Sequence, residues 1–201
     1  NDIKKIIAIA KKNNILTMID AAQSISHEKI SVKSLDCDFL VFSGHKIFGP
    51  TGVGVLYGKS KLLNDFPPYL GGGHMIEEVS MNSSSWAKIP FKFEAGTPNI
   101  AQVIGLGEAI DYFNKIYNQN SIKYIKFLKK YFLEKLSKIP EIKFYPSNIH
   151  ALESGPIIAF NIKNIHSFDI AKLLGSQGIC IRSGHHCAQP ILSKFNLNSI
   201  N

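Results

Sequence analysis

Apolar and polar positions are distributed along this chain in two rhythms, and the first hundred residues show both. Ile3 to Asn13 carries the mixed periodicity of a helix, whereas Ile15 to Ile19 is apolar but for Thr17 and Phe39 to Phe42 is apolar throughout. Largely apolar runs of that length predict strands of a parallel sheet covered on both faces. Ala21 to Asp36, between the runs, is long enough for a helical crossover, so the three segments read as a βαβ unit. Val53 to Tyr57 predicts a further strand. Lys61 to Pro98 is loop-rich, with Pro67-Pro68, Gly71-Gly72-Gly73 and Ser83-Ser84-Ser85. Its Met75, Ile76, Trp86, Phe91 and Phe93 point to an ordered excursion rather than a disordered one.

Beyond that excursion, Ala101 to Tyr117 and Ile122 to Ile139 predict two helices. Strands near Lys143 to Tyr145 and Ile157 to Ile162, a helix from Phe168 to Gln177 and a strand from Ile179 to Arg182 follow. Ser167 suits a helix N-cap, Asp169 the positive helix end and Gly178 the C-terminal stop. The reading is α/β, with a first domain over 1–105, a smaller one over 106–201, and no internal repeat.

Composition narrows the class. The chain has 201 residues, 45% of them hydrophobic, which is the balance of a soluble globular protein and not of a disordered one. No run approaches the roughly 18 apolar residues of a membrane span, and Asn1 to Lys5 lacks the apolar core of a signal peptide. Three cysteines, Cys37, Cys180 and Cys187, form no disulfide framework and fit a reducing compartment. The net charge of +8 would suit nucleic acid. Most of the clustering, however, lies between Lys123 and Lys138, where Ile125, Leu128, Phe132, Leu136 and Ile139 recur at helical spacing. That is an amphipathic helix with a solvated basic face, and no nucleic-acid partner is expected.

Candidate chemistry sits at predicted strand ends, where ligand groups of such sheets are found. Asp20 ends one strand, and Ser43-Gly44-His45-Lys46 follows the next, 26 positions from Asp20 to Lys46. Gly49, Gly52, Gly54 and Gly58 then permit close backbone approach to a ligand. A pyridoxal phosphate site needs a lysine amine for a Schiff base, a carboxylate that keeps the pyridine nitrogen protonated, and donors for the phosphate. Asp20, Ser43, His45 and Lys46 are those residue types, and Gln23 is placed to donate to the phenolate oxygen. Taken singly, each has a plainer reading: a strand-terminal Asp caps a helix, Ser-x-His forms a turn, and a loop lysine is solvated.

A second group is Arg182-Ser183-Gly184-His185-His186-Cys187, running on to Pro190. Two histidines and an arginine beside Cys187 would favour its thiolate, the reactive form. A zinc site from Cys180, His185, His186 and Cys187 is the alternative, but adjacent ligands seldom reach one tetrahedral ion, so no metal is expected. An inert buried thiol suits Cys37 and Cys180, whose neighbours are apolar, better than Cys187 on its loop.

Four runs, Asp20-Ala21-Ala22-Gln23, Ser43 to Gly52, Phe93-Glu94-Ala95-Gly96-Thr97-Pro98-Asn99 and Arg182 to Cys187, together resemble the SufS-type cysteine desulfurases of the class V aminotransferase group. The resemblance implies the C-terminal part of a fold type I large domain, which binds pyridoxal 5'-phosphate, followed by most of a small α/β domain. It implies conversion of L-cysteine to L-alanine, with the sulfur held as a persulfide for iron–sulfur cluster assembly and passed to an acceptor protein. By matching position, Lys46 would bind the cofactor and move protons on the substrate carbon. Asp20 would pair with the pyridine nitrogen, Gln23 with the phenolate oxygen, and Ser43 and His45 with the phosphate. Thr97 would reach a phosphate across a homodimer, Cys187 would take the sulfur, and Arg182 would help place the substrate. Selenocysteine lyase and cysteine sulfinate desulfinase are close variants of this activity. The location implied is cytoplasmic, or an organelle if a targeting segment precedes.

The pattern departs from the family in extent. Members are about twice this length, and the histidine that stacks on the cofactor ring and the arginine that clamps the substrate carboxylate find no match. Fourteen residues follow Cys187, and among them Gln189 and Lys194 offer no bidentate fork. The expectation is an internal fragment of a longer product, with exposed apolar surface and no activity alone.

Overall fold

The computed structural model describes residues 2–147 and 155–201, which fall into two compact units, Asn1–Asn118 and Gln119–Asn201. In the first unit, helix α1 spans Ile3–Lys12. The Asp2 side chain caps it by accepting from the Lys5 N–H at 3.1 Å, and Lys11 and Lys12 in the last turn complement the helix dipole. Strands β1 (Met18–Asp20) and β2 (Phe39–Ser43) are parallel, with Met18 opposite Phe39, Ile19 opposite Leu40 and Asp20 opposite Val41. Strand β3 (Gly54–Gly58) returns antiparallel along β2, with Ser43 opposite Gly54. The sheet is therefore mixed: the ten residues from Gly44 to Val53 are too few for the crossover that a parallel partner requires.

The crossover from β1 to β2 is also less helical than the sequence suggests. It holds a 3-10 turn at Ser24–Ser26 and a single α-helical turn, α2 (Val32–Leu35). Serine side chains explain the interruption, because they bond locally to backbone and so compete with a continuous helix. Ser26 Oγ donates to the Gln23 carbonyl at 3.2 Å, and Ser31 Oγ accepts from the Ser34 N–H at 3.2 Å.

One sheet face carries the core. Ile19, Leu40, Phe42 and Tyr57 meet Ile7 of α1 together with Ala21 and Cys37, and full burial of a side chain of Leu or Ile size contributes about 2 kcal/mol. The other face is only partly covered. Phe39 packs on Phe66, ring centres 5.6 Å apart, while Met18 and Leu56 remain 60% and 51% exposed. Ile15 and Leu16, expected inside a buried strand, are exposed and precede β1. The expectation of a sheet covered on both faces does not hold among the described residues.

At the amino end of the β1–β2 pair lies a polar knot. Asp38 accepts from the Thr17 N–H at 2.8 Å, from the Thr17 hydroxyl at 3.1 Å and from Lys59 Nζ at 3.0 Å. Asp36 pairs with Lys59 at 2.9 Å and with Lys11.

Helix α3 (Ser60–Asp65) follows β3, and the excursion beyond it is ordered. It contains an exposed hairpin of β4 (Ile76–Val79) and β5 (Ser84–Trp86), with fully buried Met75 at its base. Lys92 is buried because its Nζ donates to the Leu63 and Asn64 carbonyls at the end of α3, at 3.1 and 2.8 Å. Helix α4 (Ile100–Ile116) closes the unit.

In the second unit, helix α5 (Gln119–Leu136) precedes antiparallel strands β6 (Ile142–Tyr145) and β7 (Ala159–Ile162). Leu133, Phe144 and Phe160 form its core. Helix α6 (Ser167–Ser176) begins one residue earlier than expected: His166 is the cap, accepting from the Phe168 N–H at 3.4 Å, while Ser167 is buried and donates to Ser199 Oγ at 2.7 Å. Gly178, at φ +76°, follows the helix as the stop its sequence predicts. The strand expected over Ile179 to Arg182 does not form, and Cys180 is exposed rather than buried. Ile181 joins the core from irregular backbone instead, and one bridge, Gly184 to Ile200, stands where the strand would have continued. Helix α7 (Gln189–Lys194) completes the unit.

Candidate active site

The parallel pairing of β1 and β2 sets the geometry of the first cluster. Because Asp20 is in register with Val41, it stands at the same end of the sheet as Ser43, two residues further along β2. Asp20 Oδ1 accepts from the Ala22 N–H at 2.9 Å, and the Ala21 N–H donates to the Val41 carbonyl at 2.8 Å. This local turn fixes the carboxylate, and among the described residues its second oxygen has no partner. Gln23 opens the 3-10 turn at Ser24–Ser26 and is exposed.

Ser43 opens a second 3-10 turn, Gly44–Ile47, which contains His45 and Lys46. The two turns lie against each other. Ile47 is buried and Phe48 leaves the turn in the left-handed region at φ +67°, so His45 and Lys46 are left exposed. At Gly44 and Gly49, glycine is required by close packing. A Cβ on Gly44 would meet Val53 and Leu106 at 3.1 Å each, and one on Gly49 would meet the Gly44 carbonyl oxygen at 2.8 Å. That carbonyl accepts from the Gly49 N–H at 3.0 Å, which closes the turn, and Leu106 of α4 supports it from behind.

Thr97 is exposed on the loop that leads into α4. Two ties bracket it: the Gly96 N–H donates to the Gly73 carbonyl at 2.9 Å, and Asn99 Nδ2 donates to the Gly52 carbonyl at 2.7 Å. Asn99 is a residue that sequence reasoning passed over within its own motif. The bond spans 47 positions, so no local signal reveals it.

The first unit thus brings together an oriented carboxylate with one oxygen free, a hydroxyl, an imidazole and an exposed primary amine. This donor set fits pyridoxal phosphate: Asp20 for a protonated pyridine nitrogen, Lys46 for covalent attachment, and Ser43 and His45 for a phosphate.

Cys187 belongs to the second unit and is exposed. Its loop is held at one side by the Gly184–Ile200 bridge, with N–H to carbonyl distances of 3.0 and 3.1 Å. His186 and Cys187 both have positive φ, 53° and 59°, a conformation that side chains other than glycine adopt at a cost of about 1 kcal/mol each. The Ala188 N–H donating to the His185 carbonyl at 2.9 Å holds the turn. Burial, and then the nearby Arg182 charge, push the His186 pKa below its ordinary value. His186 is accordingly neutral at pH 7, and of the two imidazoles expected to favour a thiolate electrostatically it supplies no charge. His185 is exposed, 3.5 Å from Gln189, and Arg182 is exposed. Among the described residues no three His, Cys, Asp or Glu side chains converge as a metal set.

Comparison with known proteins adds what geometry alone does not. The chain is 50% identical over 202 residues to a cysteine desulfurase of Wigglesworthia glossinidia brevipalpis, a match that takes in all of this chain and 48% of that protein. Among solved structures, the cysteine desulfurase CsdA from Escherichia coli, in an S-sulfonic acid form, superposes with a TM-score of 0.91 at 37% identity, over 99% of this chain and 49% of that one. The apo cysteine desulfurase of Thermococcus onnurineus NA1 gives a TM-score of 0.91 at 38% identity, over 99% and 50%. The chain spans about half the length of the curated relatives it matches. The model of the aminotransferase class-V family, a group of pyridoxal-phosphate-dependent enzymes, matches residues 1–200, and the chain belongs to that family.

Proposed function

We propose that the intact protein is a cysteine desulfurase of the SufS type, which converts L-cysteine to L-alanine and holds the sulfur as a persulfide on Cys187. The observation that carries the reading is the joint placement of Asp20, Ser43, His45 and Lys46 at one end of the β1–β2 pair, in a chain with an exposed loop thiol. Bound pyridoxal phosphate would supply an electron sink for the substrate's carbon skeleton. The free oxygen of Asp20 would hold the proton on the pyridine nitrogen that this sink requires. Gln23 would donate to the phenolate oxygen, and Ser43, His45 and a Thr97 from the neighbouring subunit to the phosphate. Lys46 Nζ would hold the cofactor, then accept and return protons at the substrate carbon. Arg182 would help place the substrate.

Sulfur transfer itself needs only Cys187 and a leaving carbon. Its thiolate attacks the substrate sulfur, an S–S bond forms, and the C–S bond breaks with its electron pair kept by carbon, which a proton then quenches. The products are L-alanine and a Cys187 persulfide, so atoms and electrons balance. An acceptor protein of iron–sulfur cluster assembly in the cytoplasm would take the terminal sulfur. Among the described residues no helix is long and apolar enough to cross a membrane.

Titrating the full-length apoprotein with pyridoxal phosphate tests the cofactor part: a visible band is expected that Lys46→Ala abolishes. Cys187→Ser should then stop sulfide release from L-cysteine and leave the band intact. Undiminished desulfuration in Cys187→Ser would refute the persulfide role, and turnover of L-selenocysteine alone would identify a selenocysteine lyase.

A further inference from the structure

Asn99 occupies the cap position of α4 and yet its side chain makes no capping bond. Its Nδ2 instead reaches the Gly52 carbonyl at 2.7 Å, six residues beyond Lys46. Gly52 is in the left-handed region at φ +78°, and a Cβ there would have only Asn99 Nδ2, at 4.0 Å, as a neighbour. A side chain is thus admitted by space and disfavoured by backbone conformation, so glycine suits the left-handed position whose carbonyl Asn99 meets. On the other side of Thr97, the Gly96 N–H is tied to the Gly73 carbonyl at 2.9 Å. Thr97 and Pro98 therefore form a two-residue span held at both ends, and the Asn99 end is fastened to the loop that continues from the Lys46 turn.

We infer that Asn99 is a positioning residue, which holds Thr97 in place on its own subunit and so acts on binding of the neighbouring subunit's phosphate without touching that phosphate. The inference rests on the pyridoxal phosphate reading of Lys46 and Thr97. Asn99 gives up the local stabilisation that an N-terminal side-chain cap supplies in order to make this bond. Loss of the bond would free one end of the span, while the Gly49 N–H bond to the Gly44 carbonyl still closes the Lys46 turn.

Asn99→Asp and Asn99→Ser separate this role from helix capping. Both residues cap well, but a carboxylate cannot donate to the Gly52 carbonyl and a serine hydroxyl is too short to reach it. In the full-length apoprotein, affinity for pyridoxal phosphate and for pyridoxal, which lacks the phosphate, is read from the visible band. Both variants are expected to bind pyridoxal phosphate about fivefold more weakly, the equivalent of about 1 kcal/mol for one neutral hydrogen bond. Their affinity for pyridoxal and their thermal midpoint should stay at the wild-type values. Unchanged affinity for pyridoxal phosphate, or an equal loss for both ligands, would overturn the inference. A wild-type protein that binds pyridoxal as tightly as its phosphate would remove the underlying reading, and this inference with it.

Discussion

Asp38 is the residue whose replacement the structure prices most clearly. It is 8% exposed, and its carboxylate accepts from two Thr17 donors, themselves buried, at 2.8 and 3.1 Å. Lys59 at 3.0 Å completes the set, but the Lys59 side chain is 35% exposed and retains Asp36 as a second partner. The Lys59 pair is consequently worth under about 1 kcal/mol. Hydrogen bonds to a charged acceptor are worth more, and orphaning a buried N–H and a buried hydroxyl adds their desolvation cost, so Asp38→Ala should lose about 3 kcal/mol. Asp38→Asn keeps one oxygen for Thr17 and should lose about 1 kcal/mol, and Lys59→Met less than that.

The pH dependence has a definite sign. Burial raises the Asp38 pKa, but the bonds from Lys59 and Thr17 outweigh it and hold the carboxyl below its ordinary value. A depressed folded-state pKa means stabilisation that is complete above the unfolded value, about 3.9, and lost as pH falls through the folded one. The gap between wild type and Asp38→Asn should therefore be widest above pH 5 and shrink below pH 4. Urea midpoints of the apoprotein, with hydrogen exchange at β1 and β2 to localise the loss, provide the assay. If Lys59→Met costs as much as Asp38→Ala, the ranking of buried Thr17 bonds over the exposed ion pair is wrong.

Two further outcomes follow from glycine geometry. Gly49→Ala should reduce affinity for pyridoxal phosphate by about fivefold or more, because its Cβ would lie 2.8 Å from the Gly44 oxygen and overpacking of this kind costs about 1–3 kcal/mol; unchanged cofactor titration would show that the Lys46 turn tolerates the displacement. Gly107→Ala, in the middle of α4 with nothing within 4 Å of the new Cβ, should raise stability by about 1 kcal/mol. A lowered thermal midpoint in that variant would contradict the open space seen at Gly107.

Strands β1 and β2 and the Lys46 turn were legible because apolar runs end abruptly in small and polar residues, and such punctuation is local. Ligand-type residues at two neighbouring strand ends suggested a pyridoxal phosphate site, and the resemblance to the class V aminotransferase group supplied the role expected of each. What depends on distant partners was not legible. Nothing near Asp38 announces that Thr17 will meet it, and nothing near Asn99 announces Gly52. The missing strand at Ile179 to Arg182 has the same origin: its apolar residues satisfy strand propensity, but Ile181 is used by the core from irregular backbone and Cys180 is left outside. Ser167 likewise has the chemistry of a cap, and Ser199, 32 positions away, claims its hydroxyl.

The return of β3 along β2 makes the connection carrying Lys46 a segment of fixed length. Ser43 opposite Gly54 pins both of its ends, the Gly44–Gly49 bond cinches its middle, and the Asn99 amide grips it at Gly52. A residue inserted or deleted between Gly44 and Val53 that shifted the pairing of β3 by one would turn Leu56 toward the core and Tyr57 away from it. The hairpin tip from Ser80 to Ser83, where Met81 is 99% exposed, is closed by hydrogen bonds among its own residues and, among the described residues, is tied to no other element. Engineered versions can lengthen the molecule there, while the stretch from Gly44 to Val53 is fixed in count and, at Gly44, Gly49 and Gly52, in residue as well.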